Sequence, residues 1–329
     1  MEKQDLIHVR DLHTRDVCIV PVKEEGKYFL YDFFQIPGQT GRAINARESE
    51  DLEWWSEAYP VFVPDENYWG PLDLWAPECH CYKGKYYAIS SFRGVGGYRG
   101  CQFLVSDTPR GPLKPMVNKP ATPENWHCLD GTLYVDKEGN PWMVFCHEWL
   151  QVHDGQICAI RMKEDLSDSI GDPVILFRAS EAPWRYTHCA EAVRSDNAKP
   201  NSGWERVTDG PYLWRGDDGT LFMVWTSFSD TGYATGYARS LSGEITGPWE
   251  QEEEPLYTLH GGHAMLFKRF DDTLMMTLHC PNIPGKERML LFEMEIVGNK
   301  MHIVNEITGN WLTNFYRPDG TQKSLHEEE

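Results

Sequence analysis

Apolar and polar positions alternate along this chain in short bursts, and one phrase of that alternation comes back five times. An acid, a histidine, or a small residue followed by proline opens a short apolar run. A turn built on Gly or Asp follows, then a second apolar run rich in aromatics. The copies are Asp16–Phe33, Ala76–Phe92, Asp130–Trp149, Asp209–Ser227 and His263–His279. Each reads as a β-hairpin, two alternating strands about a tight turn such as Glu24-Glu25-Gly26, Lys83-Gly84 or Asp217-Asp218-Gly219. Few windows hold a helical period beyond three turns, while 28 Gly and 21 Pro punctuate the chain. That is an all-β pattern.

The copies open at 16, 76, 130, 209 and 263, about 62 residues apart on average. This is too long for a two-stranded unit and suits a four-stranded sheet with one or two long loops. A second repeat lies between the hairpins: Phe103–Pro112 resembles Tyr237–Trp249, each a strand, a Ser and a Gly-Pro turn. Two repeats in fixed alternation imply one unit of inner and outer strands, copied around an axis. The expected fold is a five-bladed β-propeller of four-stranded antiparallel blades. The 79 residues from Asp130 to Asp209 imply an insertion, assigned to Glu181–Trp204. No linker composition divides the chain, so residues 1–329 read as a single domain with a frayed tail at 320–329. A protein-interaction propeller of the WD type has repeats of ~40–45 residues with Gly-His and Trp-Asp signatures, and neither feature recurs here.

Composition narrows the partners. The net charge of −19 argues against nucleic acid and anionic membranes, both of which need a basic patch. The 13 Trp, 15 Tyr and 14 Phe are first of all strand residues packing between sheets. A minority lining a cleft would suit sugar rings. The N-terminal MEKQDLIHVRDLHTRD has no apolar signal region, and no run approaches a membrane span, so a cytoplasmic location is expected. Nine Cys at irregular spacing read as reduced thiols. Cys79-His80-Cys81 resembles half a zinc site, but no second ligand pair lies nearby in sequence.

The candidate chemistry lies in the first residues of the hairpins. In a propeller these gather at one mouth of the central channel, which would bring Asp16, Asp130 and Asp209 together at equivalent positions. Two carboxyl groups across a pocket are the minimum for glycoside hydrolysis, one activating water and the other protonating the leaving oxygen. A third acid nearby raises the affinity of the second for its proton. Asp beside Gly, as in Asp130-Gly131 and Asp209-Gly210, is also a common turn pair. The recurrence at three copies is what favours a catalytic set.

At these residues the chain resembles glycoside hydrolase family 43, the five-bladed propeller arabinofuranosidases, xylosidases and arabinanases. The resemblance runs from Arg15 to about Glu293. Its most specific piece is Leu74-Trp75-Ala76-Pro77-Glu78 followed by Tyr82-Lys83-Gly84-Lys85-Tyr86-Tyr87. Arg15-Asp16 is similar to the first-blade segment whose Asp is the general base. Leu129-Asp130-Gly131-Thr132-Leu133 is similar to the third-blade segment whose Asp tunes the acid. Thr208-Asp209-Gly210-Pro211-Tyr212 is similar to the fourth-blade segment that carries the general acid. Gly261-Gly262-His263 matches a fifth-blade Gly-His, and the resemblance implies a calcium or other ion held near His263 through water. No cofactor is implied for the chemistry itself.

Two departures stand out. Val17 replaces a proline, with a local effect on backbone stiffness. Asp209 stands where the family carries Glu, and its carboxyl is drawn back by ~1.5 Å when proton transfer needs ~2.6–3.2 Å. Three readings follow: Asp209 is the acid with its loop moved inward, a nearby Glu191 or Glu205 reaches in, or the site binds sugar without cleaving it. Trp75, His127, His147 and Glu148 are expected to contact substrate at the same mouth. The expected function is removal of terminal arabinofuranosyl or xylosyl residues from plant-derived oligosaccharides with inversion, which needs Asp16 and Asp209 ~6.5–9.5 Å apart. The alternatives are an endo-acting arabinanase and a non-catalytic sugar-binding propeller.

Overall fold

The computed structural model describes residues 5–34, 38, 41–185 and 206–308. Among them, five four-stranded antiparallel sheets follow one another along the chain. Blade I is Cys18–Val22, Lys27–Asp32, Ile44–Ser49 and Tyr59–Phe62. Blade II is Leu72–Tyr82, Lys85–Arg93, Arg99–Ser106 and Lys114–Pro115. Blade III is Cys128–Val135, Pro141–His147, Gln156–Met162 and Ser169–Arg178. Blade IV is Asp209–Arg215, Leu221–Ser229, Gly232–Ser240 and Trp249–Gln251. Blade V is Gly262–Lys268, Leu274–Cys280, Arg288–Val297 and Lys300–Glu306. The first strands touch one another in cyclic order, I to II and on through V back to I, so they line the axis. The expected five-bladed propeller is the observed fold.

Each predicted hairpin forms the first two strands of a blade. The second repeat forms part of the third strand of blades II and IV and the turn after it, where Gly111-Pro112 and Gly247-Pro248 are both cis. Asp218 and Asp271 are hairpin-turn residues whose side chains accept backbone N–H groups from Thr220 and Thr273. The tail at 320–329 and most of the Glu181–Trp204 insertion lie outside the described residues. No described helix is long and apolar enough to cross a membrane.

Alternation explains where the core lies. One face of each sheet meets the next blade, and the buried apolar residues form a cluster at every seam: I–II, II–III, III–IV, IV–V and V–I. Every described blade is built from contiguous chain, so no strand is shared across the V–I seam. That seam is held by side chains: Ile19, Leu30, Trp55, Met275, Met289 and Leu291 are buried in it, each contributing about 1.5–3 kcal/mol. The N-terminal segment straps it from outside. Ile7–His8 pairs with Trp54–Trp55, His13 bridges Arg288, and Arg10 Nε donates to the Thr308 carbonyl at 2.8 Å. The strap then delivers Arg15 and Asp16 to the channel mouth.

Candidate active site

The inner strands share a backbone device at the mouth. Asp16, Ala76, Asp130, Gly210 and His263 have φ between 47° and 56°, a left-handed turn of the chain that L-residues seldom adopt. In blades II to V it coincides with a break in register between the first two strands. Such a bulge re-aims side chains at a site. It also corrects one expectation. Asp16 and Asp130 occupy equivalent positions, but in blade IV that position belongs to Gly210. Asp209 stands one residue earlier, level with Arg15, Trp75, Leu129 and Gly262. Two aspartates are in phase and the third is out by one, because the hairpin pattern cannot register a one-residue bulge.

The three carboxyl groups nevertheless lie within electrostatic reach of one another. His263 Nδ1 lies 3.4 Å from Asp16 Oδ1 and 3.6 Å from Asp130 Oδ2. Asp130 Oδ2 also accepts the Gly210 N–H at 3.0 Å, which ties it to the residue beside Asp209. Asp130 is fixed from behind by its own N–H, donated to Ser91 Oγ at 2.8 Å. Asp209 Oδ2 accepts the Tyr233 hydroxyl at 2.9 Å. Asp16 faces Arg15 Nε at 3.5 Å and His279 Nδ1 at 3.1 Å. What sets Gly210 apart from its non-glycine equivalents is space: a Cβ there would lie 2.9–3.0 Å from His263 atoms.

Electrostatics divide the acids into two kinds. Burial opposes ionisation of Asp16, but His263, Arg15 and His279 outweigh it and hold the carboxyl well below the usual range. Asp130 is pushed up to about 7 by burial, with Asp209 and Asp16 adding repulsion. Asp209 is pushed up to about 6 by burial, aided by Asp16 and opposed by the Tyr233 hydrogen bond. Asp130 and Asp209 therefore titrate as a pair, both with raised affinity for a proton. For His263, burial favours the neutral ring, but Asp16, Asp130, Glu78 and Asp209 raise its affinity for a proton. His279 goes the other way, kept neutral by burial and Arg15. One carboxylate held ionised thus faces two carboxyls whose affinity for a proton is raised.

The other expected residues form a connected rim. The Arg99 guanidinium lies 4.1 Å from the centre of the Trp75 ring and pairs with Asp73 at 3.0 Å and Glu148 at 2.6 Å. His127 Nδ1 is 3.9 Å from Glu148 and 3.4 Å from the Arg99 backbone nitrogen. His147 is stacked on Trp126, and its ring nitrogens meet Gln156 at 3.2 Å and Gln151 at 2.9 Å. Neither nitrogen is left for a ligand. Glu191 and Glu205, the alternative acids, lie outside the described residues. His263 Nδ1 lies against Asp16 and Asp130, and no three His, Cys, Asp or Glu among the described residues group as direct metal ligands. The same holds for Cys79-His80-Cys81, where Cys79 is buried and Cys81 exposed.

Arg15, Arg99, Tyr233 and His279 were not foreseen as site residues. Arg15 adjoins Asp16 in the motif, and His279 closes the last hairpin copy, so both carried a faint signal. Arg99 and Tyr233 sit on third strands, in no repeated phrase.

Carboxyl groups of contrasting proton affinity near the axis of a five-bladed propeller are the equipment a carbohydrate-cleaving propeller needs. The sequence profile of glycosyl hydrolases family 43 matches residues 12–294, and the chain belongs to that family. It is 42% identical to a solved structure of an endo-arabinase from Bacteroides thetaiotaomicron, with a TM-score of 0.79 over 89% of this chain and 98% of that one. It is 27% identical over 195 residues to the extracellular endo-α-(1→5)-L-arabinanase 1 of Bacillus subtilis, 52% of this chain and 60% of that protein. It is 32% identical over 81 residues to xylosidase/arabinosidase 43A of Humicola insolens, 25% of this chain and 24% of that protein. The matches thus span under two thirds of those two relatives.

Proposed function

We propose that this glycoside hydrolase cleaves arabinofuranosyl linkages within arabinan chains, with inversion at the anomeric carbon. The observation that carries the chemistry is the contrast in proton affinity among neighbouring buried carboxyls: Asp16 is held well below the usual range, Asp130 and Asp209 above it. Asp16 draws the proton from an attacking water. Asp209 delivers a proton to the departing oxygen, and Asp130 holds the backbone beside Asp209 in place by accepting the Gly210 N–H. Asp at the acid position is then a working variant of the family pattern. Trp75, with Arg99 across its ring, offers a sugar-stacking face, and Glu148 and His127 offer polar contacts.

Endo attack rests on the 42% identity to the endo-arabinase over nearly all of that chain. A second reading, release of terminal arabinosyl or xylosyl units, is supported by the shorter match to the xylosidase/arabinosidase. The test is digestion of linear 1,5-linked arabinan followed over time. Endo action yields a ladder of oligosaccharides before any arabinose. Arabinose as the first and sole product favours the second reading, and saturable binding with no product indicates a sugar-binding propeller. Proton NMR of the first-formed anomer tests inversion.

A further inference from the structure

Tyr233 is the second residue of the third strand of blade IV. It is 1% exposed, yet its hydroxyl ends 2.9 Å from Asp209 Oδ2. A buried tyrosine hydroxyl needs a partner, and several contacts aim this one. The ring stacks on His279 at 5.6 Å and meets Phe228 at 5.1 Å. Its backbone N–H donates to His260 Nδ1 at 3.1 Å. Burial holds His260 down at about 4, so that nitrogen is an acceptor near neutrality. The path of the phenol is clear only because residue 262 is glycine. A Cβ there would lie 2.5 Å from Tyr233 Cε1, 2.7 Å from Cδ1 and 2.4 Å from Thr226 Cγ2.

We propose that Tyr233 is a positioning residue for Asp209: its hydroxyl occupies Oδ2 and leaves Oδ1 as the oxygen that carries the transferable proton, with Gly262 opening the way. This rests on the reading of Asp209 as the acid. A hydrogen bond from a hydroxyl favours the carboxylate over the acid, so Tyr233 also sets the pH at which Asp209 loses its proton. Around Asp209 stand Asp16 and Arg15 from the strap and blade I, Asp130 from blade III, Tyr233 from its own blade and His263 from blade V. Among these, Tyr233 alone is hydrogen-bonded to the Asp209 carboxyl in the described residues.

The test is Tyr233→Phe, which keeps the ring and removes the hydroxyl. Two substrates are compared: a linear 1,5-linked arabino-oligosaccharide, whose leaving group needs a proton, and the 2,4-dinitrophenyl glycoside of the same oligosaccharide, whose leaving group does not. The expected result is at least a ten-fold fall in kcat on the oligosaccharide, little change on the aryl glycoside, and an alkaline limb moved up by about one pH unit. Gly262→Ala keeps the hydroxyl but displaces it, and should give the same split. An unmoved alkaline limb in Tyr233→Phe, or equal losses on both substrates, overturns the proposal. Asp209→Asn in parallel separates the two levels. If it abolishes oligosaccharide cleavage and spares the aryl glycoside, the acid assignment stands whatever Tyr233 does. If it leaves oligosaccharide cleavage intact, both fall.

Discussion

Blades III and IV carry the same inner hairpin and present their acids differently. In blade III the aspartate itself takes the left-handed turn, with φ of 54°. Its carboxyl lies inward, 3.6 Å from His263 and 3.0 Å from the Gly210 nitrogen. In blade IV a glycine takes that turn, and the aspartate one residue earlier hydrogen-bonds to Tyr233. Asp130 is 8% exposed, whereas Asp209 is only partly buried. A single repeated scaffold thus makes two kinds of carboxyl by shifting the acid one residue relative to the bulge. The inner one suits tuning, and the outer one suits delivery.

The largest expected effect comes from the group that both acids face. Asp16→Asn should lower kcat about a thousand-fold or more on every substrate, since activation of water is needed whatever leaves. Wild-type turnover in that variant would break the assignment. Next is Asp209→Asn, with a loss of about a hundred-fold or more on oligosaccharides and a much smaller loss on activated aryl glycosides. If Asp130→Asn, not Asp209→Asn, shows the leaving-group dependence, the two roles are reversed.

The comparison also has a pH signature. Asp130 is raised from 3.8 to about 7 in the folded protein, so the fold binds its proton more tightly than the unfolded chain does. A raised carboxyl favours folding in acid, and stability is lost as pH climbs from about 4 through 7. Asp130→Asn removes this burden. Its melting temperature should exceed wild type by several degrees at pH 8 and hardly differ at pH 4. A gain independent of pH would count against the raised value. Activity should fall above about pH 7 as the Asp130–Asp209 pair loses its proton. The smallest effect tests the backbone alone. Gly210→Ala forces a side chain into a left-handed turn against His263 and should cost about 1–3 kcal/mol in denaturant unfolding. Loss under ~0.5 kcal/mol would mean the turn relaxes freely.

The blades were legible because alternation and turn chemistry are local. A run such as Asp209–Ser227 states its strands and its turn without reference to anything else. Asp16 and Asp130 were legible for the same reason, as first residues of a repeated phrase. The one-residue offset of Asp209 was not. A bulge adds a residue without changing the apolar pattern on either side, so the phrase looks in phase when the backbone is not. His147 shows the opposite failure. Its place at the end of a hairpin pointed to the mouth, while its ring nitrogens are taken by Gln151 and Gln156, partners that no local pattern announces.

The sequence by itself determined the repeating blade, the number of copies and the residues that open them, because strand alternation and tight turns depend only on neighbours along the chain. The tertiary structure alone decided which of those residues have a raised affinity for a proton, which has a lowered one and which third-strand side chains reach them. Those properties depend on burial and on distances of 3–4 Å between groups on different blades, and a ring of separately folded hairpins fixes them only when it closes.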